Sequence, residues 1–151
     1  MSDAKIINLQ ERLIENLKKI DSTYEGYAKS KGMTYITLSI LEVIHEMKDA
    51  CTQKQIVEAT YYPKQTVNLA VKQFLESGYV EMKEIPADRR NKNIILTKKG
   101  REYAESIITP LEEADAAAMK QMGTEQGEEL LRLAKRYCEL YCANLDRIME
   151  K

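Results

Sequence analysis

Tryptophan is missing from this 151-residue sequence, and phenylalanine and histidine each occur once. A core without large aromatics has to be filled by Leu, Ile, Val and Met. Tyrosine belongs at its margins, because a buried phenol needs a polar partner; nine tyrosines make that a recurring demand. The lone His45 and the three cysteines, Cys51, Cys138 and Cys142, fall at no metal-ligand spacing. That excludes a zinc site of three or four converging side chains, so no metal is expected. The six glycines form no phosphate-binding loop, and no nucleophile stands with a plausible base. Neither enzymatic activity nor a cofactor is therefore expected. No apolar run approaches the ~20 residues that span a bilayer, so no membrane partner is expected. Met1 to Gln10 mixes charge with isolated Ile and Leu, unlike a signal peptide. With free thiols, the expected setting is a reducing cytoplasm.

Net charge is also nearly absent, at −1, but its distribution is uneven. Residues 52–101 carry ten Lys and Arg against five Asp and Glu, a balance of +5. Residues 1–51 balance to −1 and residues 102–151 to −5. A basic middle between neutral and acidic flanks is the pattern of a chain in which only the middle meets phosphate; scattered charged helix surfaces are the alternative.

Apolar residues recur at helical spacing through Ile6, Leu9, Leu13, Leu17, Ile20, Tyr24 and Tyr27, predicting one long amphipathic helix that stops at Gly32. Thr34 is placed to cap a second helix carrying Tyr35, Leu38, Leu41, Ile44 and Met47. Thr52 with Gln55 makes a capping box for a short third helix. After a turn at Thr60–Tyr62, Pro63 opens a fourth, with Val67, Ala70, Val71, Phe74 and Leu75 on its apolar face and Gly78 past its end. The period then shortens. Tyr79–Lys83 reads as a strand, Ile85–Lys92 as a charged turn and Asn93–Leu96 as the returning strand. Thr97 caps a further helix in which Pro110 should cause a kink or break, and Gly123–Thr124 should stop and restart the chain into a last helix.

Two short helices joined by a tight turn and followed by a charged hairpin make a winged helix-turn-helix. The expected fold is thus mainly α with a small β-hairpin wing. A reading helix packs one face on its domain and offers the other to base edges and phosphates. From Pro63 to Ser77, the polar positions Lys64, Gln65, Thr66, Asn68 and Lys72 complement the apolar set. Gln and Asn suit adenine, and Lys suits phosphate or guanine. The hairpin tip supplies Asp88, Arg89, Arg90, Asn91 and Lys92. An arginine there suits the narrow minor groove, with Asp88 orienting a guanidinium. A solvated surface is the plain alternative for both elements.

From Thr52 to Tyr103 the chain resembles the DNA-binding core of the multiple-antibiotic-resistance regulator (MarR) family. The resemblance rests on Gln53 and Ile56, then Pro63, Thr66 and Val67, then Leu75 and Gly78-Tyr79-Val80. Most specific is Asp88-Arg89-Arg90 followed by Leu96-Thr97-Lys98-Lys99-Gly100. It implies that Asp88 and Arg90 form a wing-tip pair, that Arg90 points to the minor groove, and that the long helices flanking the core form a homodimer. The expected organisation is one domain over 1–151, with a winged-helix DNA-binding lobe at 34–100 and dimerisation helices at 1–31 and 101–149. Double-stranded DNA with a pseudo-palindromic operator is the expected partner. Glu81 and Glu84 flank the wing strands and the reading helix carries only Lys64 and Lys72, so a modest affinity that rests on phosphate contacts, and hence on salt, is expected.

The resemblance also implies a site for a small aromatic effector between the dimer helices and the DNA-binding lobe, where Tyr24, Tyr27, Met33, Tyr35, His45 and Met47 fall. Ordinary core packing is the alternative for these residues. Cys138 and Cys142 share a helix face but are poorly placed for a disulfide, and the cysteine used by redox-sensing members lies near the N-terminus, where this chain has none. The expected function is a sequence-specific, dimeric transcription repressor released by a small molecule. A winged-helix module that binds protein without DNA is the rival.

Overall fold

A computed structural model describes residues 3–48, 50–86 and 88–150, without the side chains of Arg89 and Arg90. The elements in chain order are α1 (Asp3–Ser30), α2 (Tyr35–Glu46), β1 (Cys51–Thr52), α3 (Gln53–Thr60), α4 (Lys64–Glu76), β2 (Val80–Ile85), β3 (Asp88–Leu96) and α5 (Lys98–Met149). The protein is thus mainly helical with a small antiparallel sheet, ordered β1-β3-β2.

Local chemistry sets the boundaries. Thr34 Oγ1 accepts the Thr37 amide at 3.1 Å and starts α2. Gly32 (φ 71°) and Gly78 (φ 72°) turn left-handed where α1 and α4 end, which suits a residue without Cβ. Pro63 stands one residue outside α4 as its N-cap, with its carbonyl accepting from Thr66 and Val67.

Three sequence expectations need correction. The sheet has a third strand, β1, pairing Cys51 with Ile94 and Thr52 with Asn93. The hairpin is longer than expected: Ile85–Lys92 is not all turn, because the ladder continues to Glu84↔Lys92 and Ile85↔Asp88. Pro110 does not break α5. Its fixed φ is compatible with a helix, and the non-helical dihedrals sit at Gly123 alone (φ 78°, ψ 166°).

The chain divides into two compact units, Met1–Ile108 and Thr109–Lys151. The core lies in the first. Leu38, Ile40 and Leu41 of α2, Ile56 of α3, Val67 and Val71 of α4, Ile94 of β3 and Ile108 of α5 are each 1% exposed or less. Burying each of these aliphatic side chains contributes roughly 1.5–3 kcal/mol. The Tyr27 hydroxyl donates to the Ile107 carbonyl at 2.6 Å and ties α1 to the start of α5. Further toward its N-terminus α1 leaves Ile6, Leu9, Leu13, Leu17 and Ile20 36–66% exposed. In the second unit no described residue is buried, and Leu130, Leu133, Tyr137, Leu140 and Tyr141 lie open.

Candidate nucleic-acid interface

The candidate interface is built from α3, α4 and the hairpin. Thr52 and Gln55 complete the capping box of α3: Thr52 Oγ1 accepts the Gln55 amide at 3.2 Å, and the Thr52 amide donates to Gln55 Oε1 at 2.8 Å. At the other end of α3, Tyr61 adopts a left-handed conformation (φ 58°) and its amide donates to Val57 O at 2.8 Å. That reversal launches α4 across α3. Val67, Ala70, Val71 and Phe74 then face the core, while Lys64, Gln65, Asn68 and Lys72 face solvent. Thr66 is half-buried. Lys72 lies 3.8 Å from Glu76 in an exposed pair worth a few tenths of a kcal/mol.

The hairpin is held at its base. Thr97 Oγ1 donates to Gly78 O at 2.7 Å, the Thr97 amide donates to Tyr79 O at 3.0 Å, and Thr97 Oγ1 also accepts the Gly100 amide at 3.0 Å. Lys99 Nζ donates to Ser77 O at 2.8 Å, placing a cation at the carbonyl end of α4, where the helix dipole favours it. The Tyr79 and Tyr103 rings stack at 4.0 Å. Toward the tip, the register jumps between Glu84↔Lys92 and Ile85↔Asp88, leaving Arg89, Arg90 and Asn91 unpaired on β3. Asn91 Nδ2 donates to Asp88 Oδ2 at 2.7 Å across this irregularity. The side chains of Arg89 and Arg90, and with them the expected Asp88–Arg90 pair, lie outside the described residues.

Helix and hairpin share a cleft of about 450 Å³, lined by Gln53, Lys54 and Val57 of α3, Lys64 of α4, Met82 of β2, and Asn91 and Lys92 of β3. Three elements therefore bring Lys54, Lys64 and Lys92 to one concavity. Lys54 makes an exposed pair with Glu58 at 3.7 Å. Among the described residues neither Lys64 nor Lys92 has a carboxylate partner. The sequence pointed to Lys64 and Lys92 but missed Lys54 and Gln53, because no local pattern says that the start of α3 meets the hairpin.

Residues 31–91 match the model of the MarR family. The match covers the winged-helix core, and solved structures of the same fold extend the likeness beyond it. No curated protein matches the sequence. Among solved structures, a MarR family regulator from Neisseria meningitidis is similar over 97% of this chain and 99% of its own, at 22% identity and a TM-score of 0.72. A MarR family transcriptional regulator from Streptomyces coelicolor, solved in complex with DNA, covers 92% of this chain and 89% of its own, at 17% identity and a TM-score of 0.75. BpsR of Bordetella bronchiseptica, whose DNA binding is regulated by 6-hydroxynicotinic acid, covers 87% of this chain and 98% of its own, at 17% identity and a TM-score of 0.67.

The residues expected around an effector lie along α1, α2 and the turns that follow them. The Tyr24 and Tyr35 rings meet at 4.6 Å. The Tyr24 hydroxyl donates to Glu42, and burial, followed by that carboxylate, pushes its ionisation well above the usual phenol range. The Tyr35 hydroxyl donates to Asp21 at 3.4 Å; burial and then the Asp21 charge raise it too. Tyr27 turns instead to Ile107, Met33 is buried, and His45 and Met47 are half-buried. Tyr24 and Tyr35 are thus brought together, and Glu42 and Asp21 are polar members of the cluster that the sequence reading missed. Among the described residues no group of three or more His, Cys, Asp or Glu could hold a metal ion, and no helix is long and apolar enough to cross a membrane.

Proposed function

We propose that this chain is a MarR-family, dimeric transcription repressor that reads double-stranded DNA, with α4 in the major groove and the hairpin wing in the adjacent minor groove. The observation that carries the reading is the shared cleft: Lys54, Lys64 and Lys92 converge from α3, α4 and β3. Such cations suit the phosphate backbone, while the exposed amides of Gln65 and Asn68 suit base edges. Lys72 and Thr66 complete the helix contribution; Asp88, Arg89, Arg90 and Lys92 complete the wing. The DNA-bound neighbour of the same fold supports this placement.

The bare apolar face of α1 and that of residues 119–149 favour a homodimer, because faces of this size demand cover. On this reading residues 34–100 form the DNA-binding lobe of one MarR-like domain, and 1–31 with 101–149 its dimerisation region. A two-fold dimer presents its reading helices about 34 Å apart to an imperfect palindrome. A small aromatic effector binding around Tyr24, Tyr27, Met33, Tyr35, His45 and Met47 would release DNA, acting in the cytoplasm. Control of BpsR by a hydroxylated aromatic acid supports this class of ligand.

Fluorescence anisotropy with the gene's own upstream region, against a scrambled duplex at about 50 and 200 mM salt, tests the proposal. Selective binding that weakens with salt is expected. No binding to either duplex at the lower salt overturns it. Arg90→Ala should lose most of the affinity, whereas a protein-binding module would be indifferent to that change.

A further inference from the structure

Leu69 breaks the pattern of α4. The helix buries Val67, Ala70, Val71 and Phe74, and the middle of its opposite face should be polar if it only met water. Leu69 stands there instead, 61% exposed, one turn beyond Gln65 and three residues before Lys72. Its neighbours on that face, Gln65, Asn68, Lys72 and Gln73, are polar and exposed. No apolar patch continues from it along α4, as a protein-docking surface would require. An isolated aliphatic group at the centre of a polar reading face matches one feature of the major groove. The only apolar group there is the C5-methyl of thymine, and protein side chains recognise it by apolar contact.

We infer that Leu69 is a specificity-determining residue that selects a thymine through this methyl group. The inference rests on the DNA-reading proposal above. Gln65 suits adenine N6 and N7. Leu69 lies about 6 Å further along the helix axis, and successive bases are spaced about 3.4 Å apart, so the selected thymine falls within about two base pairs of that adenine. Leu69 and the methyl desolvate each other, and a base without the methyl leaves the leucine facing an empty groove floor.

The test uses the full chain and a duplex that it selects from a random library. Each thymine is replaced in turn by deoxyuridine, which removes only the methyl, and affinity is read by anisotropy. Wild type should lose about fourfold at one position per half-site, the worth of one buried methyl. Leu69→Ala should bind more weakly and no longer distinguish thymine from uracil there, while Leu69→Met should keep the distinction. Circular dichroism melts should leave both variants unchanged, as befits an exposed side chain. A selected duplex with no sensitive position, or a sensitivity that persists in Leu69→Ala, overturns the role of Leu69 and leaves DNA reading intact. Failure to select any duplex overturns the DNA-reading proposal, and this inference with it.

Discussion

Gly100 is where the structure leaves least room. A Cβ built there would lie 1.7 Å from the Tyr79 carbonyl oxygen, 2.6 Å from its carbon and 2.9 Å from its Cα. These are backbone atoms, and the same carbonyl accepts the Thr97 amide at 3.0 Å. Gly100→Ala must therefore push the start of α5 away from the base of the hairpin by more than about 1 Å. Overpacking of this kind costs about 1–3 kcal/mol. Loss of the Thr97–Tyr79 bond adds about 1 kcal/mol, so the total is about 3 kcal/mol. A chain of this length loses about 2–4 °C of melting temperature per kcal/mol, so a drop of about 6–12 °C is expected. Gly26 is the control. It lies inside α1 with nothing within 4 Å of its added Cβ, so Gly26→Ala should gain about 0.5–1 kcal/mol. Thermal melts followed by the helical circular dichroism signal compare the two variants. A Gly100→Ala protein that melts within about 2 °C of wild type would refute the close approach of α5 to Tyr79.

Lys64→Ala and Lys92→Ala should each reduce the slope of log affinity against log salt by about 0.9, the signature of one lost phosphate contact; unchanged slopes would remove the cleft from the DNA interface. Burial raises the ionisation of Tyr24, Tyr27, Tyr35 and Tyr103, so their folded forms hold a proton that the unfolded chain releases. Their stabilising contribution is whole below about pH 10 and is lost as pH rises beyond it. Urea midpoints should therefore fall between about pH 9 and 11, less steeply in Tyr24→Phe, and a midpoint that rises over this range would contradict the assignment. Cys51 is 1% exposed and its thiol is pushed up to about 11 by burial, so a disulfide reagent at neutral pH should leave it unmodified until the protein unfolds; reaction at a free-thiol rate would show that β1 does not cover it.

Much of the fold was legible because its signals are local. The Thr34 and Thr52 caps, the left-handed Gly32 and Gly78, and the Thr97–Gly100 contact each involve residues a few positions apart, and the periodicity of α1, α2 and α4 comes from one face of each helix. The misses have non-local or side-chain-blind causes. β1 has only two residues, and its partners Ile94 and Asn93 lie some forty positions away. Glu84, Ile85, Asp88 and Lys92 look like a turn by composition, yet ladder bonds run between backbone groups and accept charged side chains on an exposed hairpin. Pro110 carries the sequence signal of an interruption, yet its fixed φ is helical and the chain stays helical through it; only Gly123 leaves the helical region, through its dihedrals.

The site divides along the same line. The exposure of Lys64, Gln65, Asn68 and Lys72 could be found from sequence because an amphipathic helix is polar opposite its core. That rule assigns every polar residue to solvent and every apolar one to the interior, and Leu69 defeats it. The apolar stripe of α4 is already complete in Val67, Ala70, Val71 and Phe74, so by helical geometry a leucine two positions from Val67 points away from the core. Composition sees one more apolar residue in an amphipathic helix; its 61% exposure bears out the geometry and shows that the core does not use it. The convergence of Lys54 on Lys64 and Lys92 was hidden for a different reason. It depends on the angle at which Tyr61 redirects the chain between α3 and α4, and a left-handed tyrosine carries no sequence signature. Both omissions concern what the fold does with residues that no local pattern singles out, so each has to be tested on the assembled interface and not on isolated helices.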